Sequence, residues 1–395
     1  MGWLSGWNNR IKLTIDYTKI DTDLTYFPVT VFLTPTHGDC VFDELTTDAN
    51  RLKIAFTSDD GETQLYGEIE KWDDANKLAI IHVSKTDWAI ASDADTLFYM
   101  YYDVDHADNT DYIGDINSVA AQSVWDGNFK AVYHMADGAD TSHLYDSTSN
   151  NHDATKKGAG EPAEAAGKVG QAQDFDGADD YIDLGNANDD FDIGTSDYTL
   201  EAIIKNSDKT DFKRILVTED GSIWSPLYTA STTGLMRMGI NGSYMSPSGG
   251  SDICDGNWNY VGVTADRSAN ATFYKNESSD GTADISAHVS YDIDITNLYI
   301  GRDYVRASRF WKDYIDEVRI SITLRSAAWL KATYNSLWDT LLTYGSEEIA
   351  EVVEGVTQYL ISTLSISANE SALSIRYSES ELSIYGNESI LSITQ

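Results

Sequence analysis

The stretch GQAQDFDGADDYIDLG (residues 170–185) decides the fold of the second half of this chain. It belongs with three other blocks, AVYHMADG (131–138), GNWNYVGVTAD (256–266) and DYIDEVRIS (313–321). Each block carries a short run of β-branched and aromatic residues with Gly, Asp or Asn close by, which is typical of strands and turns. Short strands at this spacing predict a β-sandwich rather than alternating strands and helices.

The four blocks resemble the concanavalin A-like lectin/glucanase superfamily, in its laminin-G-like branch. The resemblance covers residues 123–345 and implies a fold that usually holds sugars or protein surfaces. We also predict a short closing helix at SAAWLKATYNSL (326–337) and a final strand at LLTYG (341–345). Any chemistry has to be argued from particular residues, because a fold alone does not define a function.

Residues 1–122 predict a separate β-sandwich that precedes the lectin-like one, so that the chain is all-β with two jelly-roll-type sandwiches in series. The segments GWNNRIKLTID, DLTYFPVTVFL, SDDGETQLYGEIEKWD and ADTLFYMYYD resemble domain of unknown function 2341. That family often precedes laminin-G-like sandwiches in prokaryotic and viral surface proteins. The resemblance implies no known activity.

Residues 346–395 contain an acidic linker followed by a repeat with a period of nine residues, which begins with STLSISANE (362–370). Leu and Ile recur two positions apart, so both point to one face of a strand. A single repeat is too small to bury that face, which stacking of repeats would do. We predict a β stalk or anchor that forms homo-oligomers, with a trimer favoured, and that contacts other virion proteins. The alternative is a weakly ordered acidic tail.

The formal net charge of -37 excludes some partners. Such a surface repels nucleic acid and anionic lipid, so we predict binding to neither. No apolar run approaches the ~20 residues that a membrane-spanning helix needs, so we predict no membrane insertion. The acidity is interpreted as salt adaptation or as a supply of carboxylates for cations. The two cysteines, Cys40 and Cys254, are predicted to be free thiols.

No catalytic residue is predicted. Sandwich glucanases carry an E-x-D-x-x-E string, which this sequence lacks, and the nearest arrangement is Glu68 and Glu70 with Asp73. Strand alternation puts Glu68 and Glu70 on one face, but this stretch belongs to the pattern of the N-terminal family. The histidines form no H-E-x-x-H motif, and His134 is interpreted as a packed core residue.

Calcium is the predicted cofactor, in a structural role. In laminin-G-like sandwiches an ion often lies where an early D-S/T-x-x-N loop approaches a late I-D-E-V strand. The resemblance implies Asp146, Asn151 and Asp316 as the ligands at the matching positions. Hard cations prefer such oxygen ligands. The alternative is that Asp146 makes a turn and Asp316 ends a strand ladder.

A sugar site needs flat aromatic rings with planar polar groups beside them. Arginines near loop aromatics predict a groove for an anionic glycan, with the alternative that several aromatics are core and the arginines pair with local aspartates. The predicted ligand-binding residues are Trp224, Tyr228, Tyr244, Arg302, Tyr304, Arg306, Arg309 and Trp311.

These observations predict a non-enzymatic carbohydrate-binding or adhesion protein on a virion surface, as a head decoration or tail fibre that attaches to host or environmental glycans. Residues 1–10 lack the features of a secretory signal although the domains are of an outward-facing kind, which is the reason for the virion hypothesis. The alternatives are a structural decoration protein without a sugar ligand, a polysaccharide depolymerase, and an extracellular prokaryotic cell-surface protein.

Overall fold

A computed structural model describes residues 2–138, 140–159, 161–186, 190–218, 224–303 and 309–350. Strands make up 45% of the structure and helices 10%, which confirms the predicted all-β class with sandwich-type sheets. Residues Met1–Ala350 form one compact unit. The predicted nonapeptide stalk lies outside the described residues. Within the described part of the chain, no helix is long and apolar enough to cross a membrane.

The N-terminal part consists of short strands with two short helices and two 3₁₀ turns, Tyr17–Lys19 and Asp48–Asn50. In chain order the elements are β1 (Asn9–Ile15), β2 (Leu24–Thr25), β3 (Val29–Leu33), α1 (Asp39–Leu45), β4 (Ile54–Ser58), β5 (Gln64–Asp73), β6 (Leu78–Ser84), β7 (Ala89–Ile90), β8 (Thr96–Tyr102), β9 (Ile113–Asp115) and α2 (Val119–Gln122).

In the described part of residues 129–350, the elements are strands apart from a 3₁₀ turn at Ser286–His288 and one longer helix. They are β10 (Phe129–Tyr133), β11 (His143–Leu144), β12 (Ala154–Lys157), β13 (Ala163–Ala166), β14 (Gln171–Asp176), β15 (Tyr181–Gly185), β16 (Tyr198–Lys205), β17 (Arg214–Thr218), β18 (Trp224–Thr229), β19 (Met236–Ile240), β20 (Ser243–Met245), β21 (Trp258–Ala265), β22 (Asn270–Lys275), β23 (Ser278–Asp284), β24 (Leu298–Ile300), β25 (Lys312–Ser321), α3 (Ala327–Leu337) and β26 (Leu342–Ile349).

The first sheet, called the N-terminal sheet, has the order β26-β1-β8-β4-β5-β6-β3, and β9 pairs with β5 in parallel. Strand β1 shows why this segment is a strand: Ile11, Leu13 and Ile15 are buried and alternate with less buried residues, as the two-residue period of a strand requires. Strand β26 pairs with β1, with Leu13 opposite Tyr344. This corrects the prediction that residues 341–345 end the lectin-like sandwich.

Two further sheets form the lectin-like sandwich. The middle sheet has the order β13-β14-β25-β16-β21-β22-β23, with β10 also paired to β25. The outer sheet has the order β11-β12-β15-β24-β17-β18-β19-β20. Apolar side chains of both sheets, among them Leu200, Val263 and Ile300, make one buried core between them. This is the face-to-face packing expected of a sandwich.

The middle sheet is buried on both of its faces. Leu200 and Val261 belong to the sandwich core, whereas Ile203 and Tyr260, which lie opposite each other on β16 and β21, belong to the core of the N-terminal sheet. Helix α3 joins this second core, where Trp329 packs edge-on against Phe27. The N-terminal sheet therefore covers the face of the sandwich that would otherwise be open.

The segment after β25 is held to the segment before β10 by a buried ion pair. The two terminal guanidinium nitrogens of Arg325 donate to the two carboxylate oxygens of Asp126, at 2.6 and 2.7 Å. The same guanidinium lies 4.4 Å from the Phe129 ring centroid and 4.1 Å from that of Trp329. This bidentate ion pair, with an aromatic ring on each side of the guanidinium, fixes the segments through which the chain enters and leaves the sandwich.

We predict that Arg325→Ala lowers the free energy of unfolding by about 3 kcal/mol, because it leaves the Asp126 carboxylate buried without its partner. Urea denaturation followed by tryptophan fluorescence measures the change. Lys331→Ala is the control, since it breaks a more exposed pair with Asp21 and should cost less than about 1 kcal/mol. Equal losses in the two variants would contradict the assignment.

Candidate functional site

The side of the outer sheet that faces away from the sandwich core carries an arginine–tyrosine row, made of Arg214, Tyr228 and Arg237. Arg214 and Tyr228 are buried, with 3% and 2% exposed, and Arg237 is partly exposed. Tyr228 lies directly opposite Arg214 on one neighbouring strand and Arg237 on the other. The guanidinium carbons lie 4.3 Å and 5.7 Å from the Tyr228 ring centroid. Cross-strand neighbours are close enough for such contacts, and a guanidinium is attracted to the face of an aromatic ring.

Tyr244 extends this row with an exposed ring. The turn Asn241–Gly242 between β19 and β20 has positive φ at both residues, 49° and 70°, which is the type I′ geometry that Asn-Gly favours. A Cβ at Gly239 would lie 2.8 Å from the Tyr244 ring, so glycine there leaves room for the ring across the strand. The ring lies 6.3 Å from that of Tyr228 and 48% of Tyr244 is exposed.

Acidic residues engage some of these arginines. The Asp303 carboxylate forms ion pairs with Arg214 at 2.8 Å and with Arg309 at 3.1 Å. Asp211 forms a longer ion pair with Arg309, at 3.4 Å. Arg237 forms no salt bridge with another residue in the described part of the chain. A guanidinium without a carboxylate partner among the described residues, on the strand beside that of the exposed Tyr244, is suited to bind an anionic group of a ligand.

Arg302 lies at the end of β24, two strands away from β18. Its guanidinium carbon is 4.1 Å from the ring centroid of Tyr181 and 4.9 Å from that of Tyr299. Both tyrosines alternate with the core residues Ile182 and Ile300, so they point to the solvent side of the outer sheet. Arginine–aromatic stacking therefore occurs at two places on this sheet.

Two predicted ligand-binding residues are core residues instead. Trp224 and Trp311 are 0% exposed and belong to the sandwich core, where Trp224 donates to the Tyr198 hydroxyl at 3.1 Å. A side chain without exposed surface cannot stack on a ligand outside the protein, so the prediction was wrong for these two. Tyr228 faces away from the core but is only 2% exposed, so it cannot stack on such a ligand either. The predicted residues Tyr304 and Arg306 lie outside the described residues.

The structure gives Asp146 a full set of hydrogen-bond donors. Its Oδ1 accepts from the backbone N–H groups of Val132 and Thr148, and its Oδ2 from the Thr148 hydroxyl and the His152 N–H, at 2.7 to 3.0 Å. This is the turn geometry named above as the alternative to a calcium ligand. Burial raises the pKa of Asp146, while these donors oppose the rise.

The other two residues predicted to bind calcium bond to different segments. Asn151 lies at the surface, where its side-chain oxygen accepts from Gln122 at 2.7 Å. Asp316 is fully buried and accepts from the backbone N–H groups of Lys168 and Val169. No hydrogen bond among the described residues joins Asp146, Asn151 and Asp316 to one another, and calcium binding by them stays a prediction.

We predict that Asp146→Ala lowers the free energy of unfolding by about 3 kcal/mol, because it leaves buried backbone donors without partners. Chemical denaturation measures the loss. Asp140→Ala is the control: that carboxylate makes an equivalent turn, but it is exposed. A loss no greater than that of the control would contradict a structural role for Asp146.

A histidine–glutamate cluster, made of Glu68, Glu70, His82, His134 and Glu317, lies between the N-terminal sheet and the middle sheet. Strands β5 and β6 supply the first three residues, and the other two follow β10 and lie in β25. The His82 Nε2 atom is 2.8 Å from a Glu70 oxygen, and the His134 Nδ1 atom contacts Glu317 and lies 3.6 Å from that Glu70 oxygen. The cluster joins both sheets.

Further polar groups surround the cluster. The Trp125 indole N–H donates to Glu68 at 2.5 Å, and Arg319 donates to Glu317 at 2.6 Å. Thr30 lies 3.2 Å from His82 Nδ1. Oε1 of Glu68 and of Glu70 has no hydrogen-bond partner among the described residues, although both atoms are buried. Buried carboxylate oxygens are rarely left in this state.

Burial and mutual attraction shift the pKa values of these groups. Burial raises the pKa of Glu70 to about 8, with His134 opposing the rise. Burial alone would lower the pKa of His134, but Glu317 and Glu70 raise it well above its usual value. Burial also opposes ionisation of Glu317, yet His134 and Arg319 lower its pKa. Burial lowers the pKa of His82 well below the ordinary range, which favours its neutral form.

Glu70 also lines a cleft of about 340 Å³. The cleft is bordered on one side by Arg51 and Trp72 of the N-terminal part, and on the other by Asp137 and Tyr145 of the lectin-like part. The cluster therefore lies beside an opening at the junction of the two parts.

Sequence reasoning missed this cluster, although it placed Glu68 and Glu70 on one face of a strand. Asp73, the third carboxylate of that arrangement, instead bonds to Asn76 at the surface. The available signal was a pair of glutamates on either side of Ile69, among the apolar residues Leu65, Tyr66 and Trp72 of the strand. His134 is buried, as its interpretation as a core residue requires, but it contacts carboxylates.

Comparisons with known proteins support the class of the second sandwich. Residues 176–331 match a family model described as Laminin_G_3, of the concanavalin A-like lectin/glucanases superfamily. These residues therefore form a concanavalin A-like, laminin-G-like domain, as predicted. The predicted N-terminal family is not shown by these comparisons. A comparison with curated proteins gave no match.

Several solved structures are similar to this chain over about half of its length. The binding domain of Paraclostridial Mosquitocidal Protein 1 is 14% identical, with a TM-score of 0.43, over 53% of this chain and 52% of that one. Domain 4 of AbnA, a GH43 extracellular arabinanase from Geobacillus stearothermophilus, in complex with arabinotriose, is 19% identical with a TM-score of 0.40, over 54% and 98%. The binding domain of botulinum neurotoxin DC in complex with rat synaptotagmin II is 13% identical with a TM-score of 0.42, over 53% and 52%. The chain thus spans about half the length of the first of these structures.

Proposed function

We propose that this protein is a non-enzymatic carbohydrate-binding or adhesion protein whose ligand-binding surface is the solvent side of the outer sheet. The observation that carries the proposal is the exposed Tyr244 ring beside the arginine–tyrosine row, on a concanavalin A-like domain. An exposed ring of this kind can stack on the C–H face of a sugar, and the partly exposed guanidinium of Arg237 can hold its polar groups.

The charge of the surface selects the class of glycan. Arg237 is partly exposed and forms no salt bridge with another described residue, while Arg302 stacks on tyrosines of the same sheet. A guanidinium binds a carboxylate through two parallel hydrogen bonds, which gives strength and orientation. The proposed ligand is therefore an acidic glycan, such as one that contains uronic acid.

The proposed biological setting is a virion surface, as a head decoration or tail fibre, with an extracellular cell surface as the alternative. The nonapeptide repeat and the sequence resemblance of residues 1–122 support it. Residues 346–395 are proposed to form a homo-oligomer, with a trimer favoured, and to contact other virion proteins. Within that range the structure describes Ser346 to Ala350, of which residues up to Ile349 belong to β26.

A structural decoration protein and a polysaccharide depolymerase remain the alternatives. A depolymerase needs two carboxylates that a glycosidic bond can reach. The Glu68 and Glu70 side chains are buried and bond to Trp125 and His82. Carboxylates in this environment are poorly placed to cleave a polysaccharide, so we propose binding and not hydrolysis. Calcium binding by Asp146, Asn151 and Asp316 is a further proposal, which the presence or absence of a calcium chelator tests.

We predict that the full-length chain binds acidic glycans on an array and that Tyr244→Ala and Arg237→Ala each weaken binding at least about tenfold, which corresponds to ~1.4 kcal/mol. Tyr17→Ala is the control, because Tyr17 is 41% exposed but belongs to the N-terminal part. The full chain is needed because β26, which follows the lectin-like domain, pairs with β1.

The array is run with calcium and with EGTA. Binding that requires calcium, and is lost in Asp316→Asn, supports the calcium proposal. Absence of binding from folded protein under both conditions would contradict glycan recognition and favour the structural alternative. Release of reducing ends from an acidic polysaccharide would favour the depolymerase.

A further inference from the structure

We propose that Glu70, His82, His134 and Glu317 bind one divalent transition-metal ion, for which Zn²⁺ is the best fit. One nitrogen or oxygen atom of each residue lies within 4.8 Å of the corresponding atoms of the others. Two imidazoles with two carboxylates are a donor set that suits zinc and its first-row neighbours. Calcium and magnesium prefer oxygen ligands alone. The inference concerns a different place from the proposed glycan surface.

The two distances from the Glu70 oxygen to the histidine nitrogens bracket those of a tetrahedral site. Zinc bonds to nitrogen and oxygen of about 2.0–2.2 Å place neighbouring ligand atoms roughly 3.3–3.5 Å apart. The Glu70 oxygen lies 2.8 Å from His82 Nε2 and 3.6 Å from His134 Nδ1. Small displacements of side chains would thus be enough to admit an ion.

The second nitrogen of each histidine has the partner that a metal-bound imidazole usually has. His134 Nε2 faces a Glu68 oxygen at 3.4 Å, and His82 Nδ1 faces the Thr30 hydroxyl at 3.2 Å. Such partners fix the orientation of the ring and the nitrogen that remains free for the metal. The cluster therefore has an outer shell as well as a set of ligands.

A bound cation would also provide a partner for the remaining carboxylate oxygens. Arg319 donates to one oxygen of Glu317 at 2.6 Å, and the other oxygen of Glu317 contacts His134. Oε1 of Glu70 is buried and has no hydrogen-bond partner among the described residues. Metal binding displaces the protons of its ligands, and the three converging glutamates are then balanced in charge by Arg319 together with a divalent ion.

The cleft beside Glu70 provides a path to the site. Its lining is acidic on balance, with Asp48, Asp115, Asp137 and Glu70 against Arg51. A hydrated cation would be attracted to carboxylates at such an entrance. All four side chains of the site are almost fully enclosed, with exposure of 0% for His82 and Glu317 and 1% for Glu70 and His134.

The test uses untagged full-length chain that has been stripped with a chelator and then titrated with Zn²⁺ against a chromophoric competitor. We expect one ion per chain and a rise in melting temperature that increases with free zinc. Substitution of Co²⁺ should give the visible absorption of a tetrahedral ion. Failure to bind either metal with a stoichiometry of one would overturn the proposal.

Variants identify the ligands. Glu70→Gln keeps the shape and an acceptor for His82, so it should fold while its zinc affinity falls at least about 100-fold. His134→Gln should also lose the tetrahedral Co²⁺ spectrum. The matched controls are the surface changes Glu62→Gln and His143→Gln, which should bind as the parent does.

If His134→Gln does not fold, Glu70→Gln decides. Unchanged zinc affinity in folded Glu70→Gln would show that the cluster is a hydrogen-bonded ionic network, with any bound zinc elsewhere. Glycan binding is measured on the same samples. Failure to bind glycans would count against the proposed function and not against the metal site. The glycan surface lies on the outer sheet, whereas the metal site lies on the other side of the sandwich, between the middle sheet and the N-terminal sheet.

Discussion

Burial of the middle sheet on both faces is the constraint on which the rest of the structure depends. Strand β25 contributes Ile315, Val318 and Ile320 to the sandwich core, while its Glu317 and Arg319 point to the other side. A strand with polar residues on one face is normally open to water there. Here the N-terminal sheet covers that face, so its polar groups must find partners in the protein.

The sequence predicted the strands and the lectin-like domain better than it predicted how the two parts join. Alternation and turn residues are local signals, and runs such as KLTIDY and YTLEAIIK carry them fully. The partner of β26 is set by tertiary contacts, because pairing Ile15 with Leu342 brings together residues from opposite ends of the unit. Nothing in the sequence of residues 341–345 distinguishes pairing with β1 from pairing within the sandwich.

The candidate sites show the same difference between features set by local sequence and features set by tertiary contacts. Tyr244 could be predicted because an Asn-Gly turn precedes it, and such a turn places the next side chains at a hairpin tip. Trp224 and Trp311 were wrongly predicted because an aromatic residue at the start of a strand, or directly before one, fits either face, and only the tertiary packing decides which one. The histidine–glutamate cluster was missed because its members lie on several strands, separated by up to hundreds of positions.

The charge of the chain determines how the outer sheet can recognise a ligand. A protein with a net charge of -37 repels an acidic glycan at long range. At physiological salt, exposed charges more than about 8 Å apart are largely screened, so distant carboxylates contribute little once the glycan is in contact. Arg237 and the exposed ring of Tyr244 belong to the adjacent strands β19 and β20 and are proposed to touch the glycan directly. Recognition at this surface therefore depends on stacking and paired hydrogen bonds at contact, and long-range attraction contributes little.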